Sequence, residues 1–445
     1  MKQLFSLFLL LSAFALSAQT FDKVKLDQYL ENLEAHNKAM MSVGLVKDGN
    51  AVYQKSIGYA DAGSKQKANS NTQYRIGSIT KVFTSTMIFQ LIDEGKLSLD
   101  TSLSKYYPKV KNADKITISM LLNHRSGIHN FTNDRAYQFY MTQPKSKAEM
   151  VGLIEGLDSD FEPDSRADYS NSAFVLLGFI IEDVTGDSYA SQLQKRIAQK
   201  LNLERTAYGG PIKAADNQAQ SYTRSANTWA TATVTDMSIP HGAGAIISTP
   251  TEIGKFLTGL MTGKLISAES LTRMKELKDG YGRGIFQFPF HGKTAYGHSG
   301  GIDAFSSNSG YFEADGLAVA ITSNGMDYTM NDILIGILSI YNGMAFEIPD
   351  FNKKPVELSE EDMAQYEGTF ASAGIPLKIT IKVAGGNLTA QATGQNAFNL
   401  TPYSSSEFRF DPAGIVMVFA TEGDKVDYST FTLKQGGGSF KFTKE

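Results

Sequence analysis

A chain of 445 residues has room for a large catalytic unit and a smaller companion. It is 42% hydrophobic and 20% charged, with a net charge of −4 and no long run of one sign, which argues against a nucleic-acid binder or a polybasic membrane anchor. The lack of cysteine excludes disulfides and lipid attachment through a thiol.

The N-terminus reads as a secretory signal peptide over residues 1–18. Lys2 precedes an apolar run from Leu4 to Leu16, and the small residues Ser17 and Ala18 follow. The run is well short of the ~20 residues a spanning helix needs. The expectation is cleavage after Ala18 and a periplasmic or secreted protein with no stable membrane insertion.

Ser42–Val46 and Ala51–Gln54 read as strands joined at Asp48-Gly49, a hairpin signal. A polar stretch over 61–72 leads into Tyr74-Arg-Ile-Gly-Ser78-Ile-Thr-Lys81. From Ser78 a helix is predicted, with Val82, Phe83, Met87, Ile88, Leu91 and Ile92 on a wide apolar face and a glycine cap at Gly95. Residues three apart share a helix face, so Ser78 and Lys81 can touch. A desolvated lysine is one way to make a hydroxyl nucleophilic, and a helix N-terminus favours developing negative charge.

Ile116–Gly127 reads as a short capped helix ending in a turn, where His124 fits better as a tie between neighbours than as a catalytic base. Tyr169 and Asn171 stand at the mouth of a second apolar helix, through Phe174–Ile181 to a stop near Gly186. Residues 212–240 lack periodicity and hold the only tryptophan, Trp229, which suggests a binding loop or lid. Another apolar helix follows over Glu252–Met261. From Tyr281 the texture is antiparallel β, closed by a helix over Met330–Tyr341.

Residues 351–362 read as a linker between a 19–350 unit and a 363–445 unit. In the latter, Leu377, Ile379, Ile381 and Val383 alternate with polar residues, and later pairs such as Phe408/Phe410 keep the period of two. Short strands at this spacing predict a small antiparallel barrel or sandwich.

Ser-x-x-Lys alone is weak, because about one or two copies arise by chance in a chain of this length. Ser64…Lys67 and Ser102…Lys105 share the spacing, but neither opens a long apolar helix. Gly297-His-Ser299-Gly-Gly301 competes as a nucleophile elbow. That arrangement needs a histidine after the serine, yet His36, His124, His129, His241, His291 and His298 all precede Ser299. It also needs strand, turn and helix, whereas Ser299 falls between β-like segments. A chymotrypsin-type order would need two β-barrels, against the helices near residues 78 and 174.

Taken together, Ser78-Ile-Thr-Lys81, Tyr169-Ser-Asn171 and His298-Ser-Gly300 resemble the motifs of the serine β-lactamase and penicillin-binding-protein superfamily. The nearest branch is that of class C β-lactamases, D-Ala-D-Ala carboxypeptidases and esterases. Ile116–Gly127 and Ala243–Thr249 look like further landmarks, and the resemblance covers residues 35–345.

The resemblance implies an α+β fold, with an antiparallel sheet flanked by helices beside an all-helical lobe. Ser78 would form an acyl-enzyme on a small amide or ester, with Lys81 and Tyr169 sharing general-base duty. A nearby ammonium would favour the tyrosine phenolate. Asn171 would hold the substrate amide and position Lys81, while His298, Ser299 and Gly300 would line the strand edge facing substrate. The N–H groups of Ser78 and Gly301 would form an oxyanion hole, worth about 2.7–4 kcal/mol per donor. No cofactor and no metal are called for.

This chain departs from the family pattern at two places. Histidine stands where many relatives carry the lysine of Lys-Thr-Gly, weakening recognition of a substrate carboxylate. Asp164 replaces the glycine usual after the proline of its loop, and is expected to alter the turn. There is also no Glu-x-x-x-Asn segment of the class A kind. The tail resembles the lipocalin-like C-terminal domains of such hydrolases, opening at Tyr366-Glu-Gly-Thr-Phe370. A small-molecule or peptide substrate is expected. Whether the tail binds a ligand, caps the site or mediates homo-oligomer assembly stays open. A class C-like β-lactamase and a non-catalytic penicillin-binding sensor on the same fold are the alternatives.

Overall fold

Asp48 and Gly49 take left-handed backbone angles (φ 51° and 84°) and turn strand Ala39–Lys47 into Asn50–Ile57, with Lys47 opposite Asn50. The computed structural model describes residues 21–445 apart from Asn227, Asp411, Pro412, Asp424, Gly436 and Gly437. The expected signal peptide lies outside the described residues. The hairpin forms one side of a six-stranded antiparallel sheet. Its order is Phe286–Phe290, Lys293–Ile302, Phe305–Phe312, Leu317–Met326, Ala39–Lys47 and Asn50–Ile57.

The period-two alternation splits the sheet between two cores. Met41, Val43, Leu45, Val319 and Ile321 pack against helices Lys23–Ala35 and Met330–Tyr341. Val46, Ala318 and Ala320 belong to the larger core with helices Thr80–Asp93 and Pro250–Met261. A Cβ at Gly44 would lie 2.8 Å from the Thr251 nitrogen, so the sheet meets the start of the second helix backbone to backbone.

Helix Thr80–Asp93 is buried from Thr80 to Leu91, with the Phe83 ring stacked on Phe256 at 3.6 Å. A helical lobe surrounds it. Asn171–Thr185 stops at Gly186 in the left-handed conformation (φ 66°), and Ile118–Leu122 is capped by the Thr117 hydroxyl. The expected loop over 212–240 is partly regular, because Tyr222–Ser225 and Thr228–Thr231 pair as a small hairpin.

The tail is a nine-stranded antiparallel sheet curled into a nearly closed barrel. Its two edge strands, Phe398–Asn399 and Thr401–Pro402, are consecutive in the chain, and Phe398 stacks on Phe410 at 4.5 Å. Ile379, Ile381, Leu388, Phe408, Phe419 and Phe431 fill the interior, as the alternation predicts. The expected linker is not wholly irregular. Ser359 caps a helix over Glu360–Ala364, and the acidic residues of its first turn suit a helix N-terminus. Among the described residues no helix is long and apolar enough to cross a membrane.

Candidate active site

Ser78 lies in a 3-10 turn, Gly77–Ile79, and the α-helix begins at Thr80 rather than at Ser78 as expected. Tertiary contact explains the difference. Gly77 has φ 50°, and a Cβ there would sit 2.9 Å from the Gly301 nitrogen. A Cβ on Gly300 would lie 2.1 Å from the Ile76 carbonyl oxygen and 3.0 Å from the Ser78 nitrogen. The nucleophile turn and the third motif therefore touch through their backbones. Strand Phe286–Phe290 pairs only as far as Gly297, leaving this stretch of Lys293–Ile302 open on that edge. Ser299 is exposed in the middle of a strand that turns at Asp303 into another strand rather than a helix, so it lacks the elbow geometry.

Lys81 is fully buried. Its Nζ is 2.9 Å from Ser78 Oγ, 2.8 Å from Asn171 Oδ1 and 2.8 Å from the Ala243 carbonyl oxygen. Burial drives its pKa well below the ordinary lysine value. Asn171 is held in turn by residues that the motifs do not include. Its backbone N–H donates to Asn130 Oδ1 at 3.1 Å, and its amide donates to Thr132 Oγ1 at 3.1 Å.

Tyr169 lies over Lys81, whose Nζ is 4.8 Å from the ring centroid. The expectation of a lowered phenol pKa is not met. Burial raises it, while the neighbouring Ser78 hydroxyl pulls the other way. The Tyr169 hydroxyl is close enough to Ser78 for that influence, yet it makes no hydrogen bond of acceptable geometry and is buried. His124, in a left-handed turn (φ 60°), ties this segment down. Its Nδ1 accepts the Ser170 N–H at 3.1 Å, its carbonyl accepts the Asp168 N–H at 2.8 Å, and its ring lies 4.4 Å from that of Tyr169.

His298 is buried, whereas the resemblance implies that the strand edge presents it. It lies beside Phe286 and Tyr169, at 4.7 and 6.2 Å between ring centroids, and its Nδ1 donates to the Ser299 carbonyl. Burial first, then the proximity of Lys81, lower its pKa to about 3, so it is neutral near pH 7. Asp164 keeps the left-handed conformation natural to the glycine it replaces (φ 64°), so the turn survives. Its carboxylate accepts from Lys278 at 2.7 Å and Arg125 at 2.6 Å, contacts that hold its pKa down.

Ser78, Asn171 and Gly301 open into a cleft of about 330 Å³. Phe131, Tyr137, Met141, Pro240 and Ile302 supply apolar wall, and Thr132, Thr235 and Asp303 are polar. Tyr169, His298, Ser299 and Gly300 are not among the residues that line this cleft. The Asp303 carboxylate is spoken for: Oδ2 accepts from Arg75 Nη1 at 2.9 Å, and Oδ1 accepts from the Thr235 N–H and hydroxyl at 2.8 and 2.7 Å. Sequence reasoning missed Asn130, Thr132, Arg75, Asp303 and the Ala243 carbonyl. Only Arg75 carried a cue, as a charge in the apolar run before Ser78.

The arrangement is that of a hydroxyl beside a buried amine whose proton affinity burial lowers, with two backbone segments meeting at the serine. Comparison with known proteins places the whole chain. A teichoic acid D-alanine hydrolase from Staphylococcus aureus is 26% identical over 321 residues, 70% of this chain and 77% of that protein. The D-amino acid amidase of Ochrobactrum anthropi SV3, solved with L-phenylalanine amide, shares 27% identity at a TM-score of 0.59, over 68% of this chain and 91% of its own. An octameric penicillin-binding protein homologue from Pyrococcus abyssi matches in fold over 95% of this chain and all of its own, at a TM-score of 0.66 and 23% identity. The beta-lactamase family profile matches residues 26–336, well over half of the sequence. The chain, a serine hydrolase by its relatives, therefore belongs to the beta-lactamase family.

Proposed function

We propose that the protein hydrolyses small amides or esters, of the D-aminoacyl kind, through an acyl-enzyme on Ser78. The observation that carries this reading is the set of contacts around Lys81. A neutral amine has two N–H bonds and one lone pair. Lys81 Nζ donates to Ser78 Oγ, Asn171 Oδ1 and the Ala243 carbonyl; once the amine gives up one proton, the two oxygens that can only accept keep the other two N–H groups and the lone pair is left facing the Ser78 hydroxyl. Lys81 is then the general base, and Tyr169, still protonated, is the acid for the leaving group. The Ser78 and Gly301 N–H groups face the developing oxyanion.

Charge in the cleft supports the substrate class. Among its lining residues the one carboxylate is paired with Arg75, and Lys81 beside it is spent on the serine. Among the described residues the lining offers no unpaired cation to a substrate carboxylate, and burying one unpaired is costly. Amides and esters are therefore favoured over peptides ending in a free carboxylate. The names of the relatives, a D-amino acid amidase and a teichoic acid D-alanine hydrolase, point to the D-configuration.

The N-terminal pattern supports export, and the composition break near residue 351 supports a separate C-terminal domain. Homo-oligomerisation through that domain accords with the octameric relative of similar extent.

A fluorophosphonate probe is expected to label the wild type and not Ser78→Ala, and D-alanyl amides are expected to turn over faster than L-alanyl amides. Labelling of Ser78→Ala would overturn the assignment of the nucleophile.

A further inference from the structure

Arg75 and Asp303 form a buried ion pair, with their side chains 3% and 0% exposed. Neither belongs to any of the three motifs. Burial lowers the Arg75 pKa, a cost that such a pair repays only when its remaining groups are well bonded. The partners it has chosen are informative. Arg75 Nη1 donates to Asp303 and, at 2.7 Å, to the Thr235 carbonyl, while Nη2 donates to the Gly210 carbonyl at 3.1 Å. Thr235 returns two bonds to Asp303, and its hydroxyl lies 3.4 Å from that of Tyr137 in the cleft wall.

The sequence positions of these residues give the network its meaning. Arg75 is three residues before Ser78, and Asp303 is two residues after Gly301. Asp303 begins the tight turn that follows strand Lys293–Ile302 and holds a left-handed φ of 56° to do so. Thr235 lies in the loop that runs on to Pro240 and Ala243, whose carbonyl holds Lys81. One guanidinium–carboxylate unit thus ties together the segments carrying the nucleophile, the second oxyanion donor and the acceptor for the lysine.

We infer that the Arg75–Asp303–Thr235 unit sets the separation of the Ser78 and Gly301 N–H groups, which makes Asp303 and Arg75 positioning residues for acyl transfer. Arg75 reaches Asp303 through Nη1 alone and leaves its buried Nε unpartnered, but its two terminal nitrogens bond three groups and both Asp303 oxygens accept, which constrains the segments more than a lone backbone contact between glycines does. The inference rests on the acyl-enzyme reading of Ser78, because the two N–H groups matter only if an oxyanion forms between them.

Asp303→Asn keeps the shape and an acceptor for Thr235 but removes the charge that Arg75 holds. A misplacement of this kind costs roughly 100-fold in rate. Asp303→Asn and Arg75→Gln are each expected to lose that factor in kcat and in fluorophosphonate labelling rate, with KM nearly unchanged. The double variant is expected to fall no lower than either single one, since the pair acts as a unit. Amide exchange at residues 76–79 and 299–303 is expected to accelerate in Asp303→Asn while the tail sheet stays protected. Thr235→Val is the milder control, expected to fold normally and to lose part of the same rate.

Wild-type kcat with unchanged exchange in Asp303→Asn would overturn the inference. So would a loss that follows Tm and raises KM equally, as a merely structural role requires. Failure of the wild type to label would instead overturn the acyl-enzyme reading, and with it the catalytic meaning of the pin, whatever the exchange data show.

Discussion

At the scale of single residues, the molecule turns on what burial does to a lysine. Lys81 has an Nζ with two fixed acceptors and a serine, and its burial disfavours the charged form. Its proton affinity is therefore set by desolvation rather than by a partner charge. Acylation is expected to need no pH near the ~10.4 of a free lysine, and to fall only when the pH drops through the lowered pKa of Lys81. A pH–rate profile of single-turnover acylation reads this directly, and a limb near the ordinary lysine value would contradict it. Lys81→Arg removes the base, because a guanidinium does not deprotonate in proteins, and acylation is expected to fall by roughly 10²- to 10⁴-fold.

His129 is a second titrating residue with a consequence. Its Nδ1 meets Asp160 at 2.8 Å and its Nε2 meets Asp134 at 3.2 Å, while its carbonyl accepts the Ser172 hydroxyl beside Asn171. The hydrogen bond to Asp160 is the main cause of its raised pKa. A raised pKa in the folded state means that the folded protein binds the proton more tightly than the unfolded chain does. The resulting stability is complete below the unfolded value of about 6.5 and is lost as pH rises through the higher folded value. Thermal melts at pH 5.5 and 8.5 are expected to differ more for the wild type than for His129→Gln, and an equal difference would refute the clamp.

At the scale of elements, the site depends on close approach between a turn and a strand. Gly77 and Gly300 allow it, since a side chain at either would enter the other backbone. Gly300→Ala is expected to part the nucleophile turn from strand Lys293–Ile302 and to lower acylation by roughly 100-fold, read as the burst rate with an activated ester. The helix behind the serine is positioned by its core face. Phe83 is fully buried and stacked on Phe256, so Phe83→Ala is expected to cost about 3–5 kcal/mol in denaturant unfolding. The helix start shows why local patterns stop short. Apolar periodicity marks the run from Val82 to Ile92, but the 3-10 turn at Gly77–Ile79 comes from the glycine strand pressed against it.

At the scale of the whole molecule, the cleft is built from residues between Ser78 and Asp303, whereas the nine-stranded sheet has a hydrophobic core of its own. The two parts meet through polar contacts, including Lys434 with Glu347 at 3.3 Å and the Val356 N–H donating to the Pro402 carbonyl at 2.9 Å. A chain ending at residue 350 is expected to label at Ser78 at the full-length rate. Loss of labelling in a folded truncation, judged by circular dichroism, would mean that the tail shapes the site.

What the sequence determined by itself was periodic or local. Alternation in strands, the apolar faces of helices, Asp48-Gly49 and Gly186 as turn and cap, and the three motifs in order follow from spacing and from the conformational freedom of glycine. Tertiary structure alone decided how those motifs meet. It buried His298 and made it neutral, kept Tyr169 protonated, and held Asn171 with Asn130 and Thr132. It also paired Arg75 with Asp303 across 228 positions of chain. Protonation and pairing depend on solvent exclusion and on distances between segments remote in sequence, and no local pattern of residues encodes either.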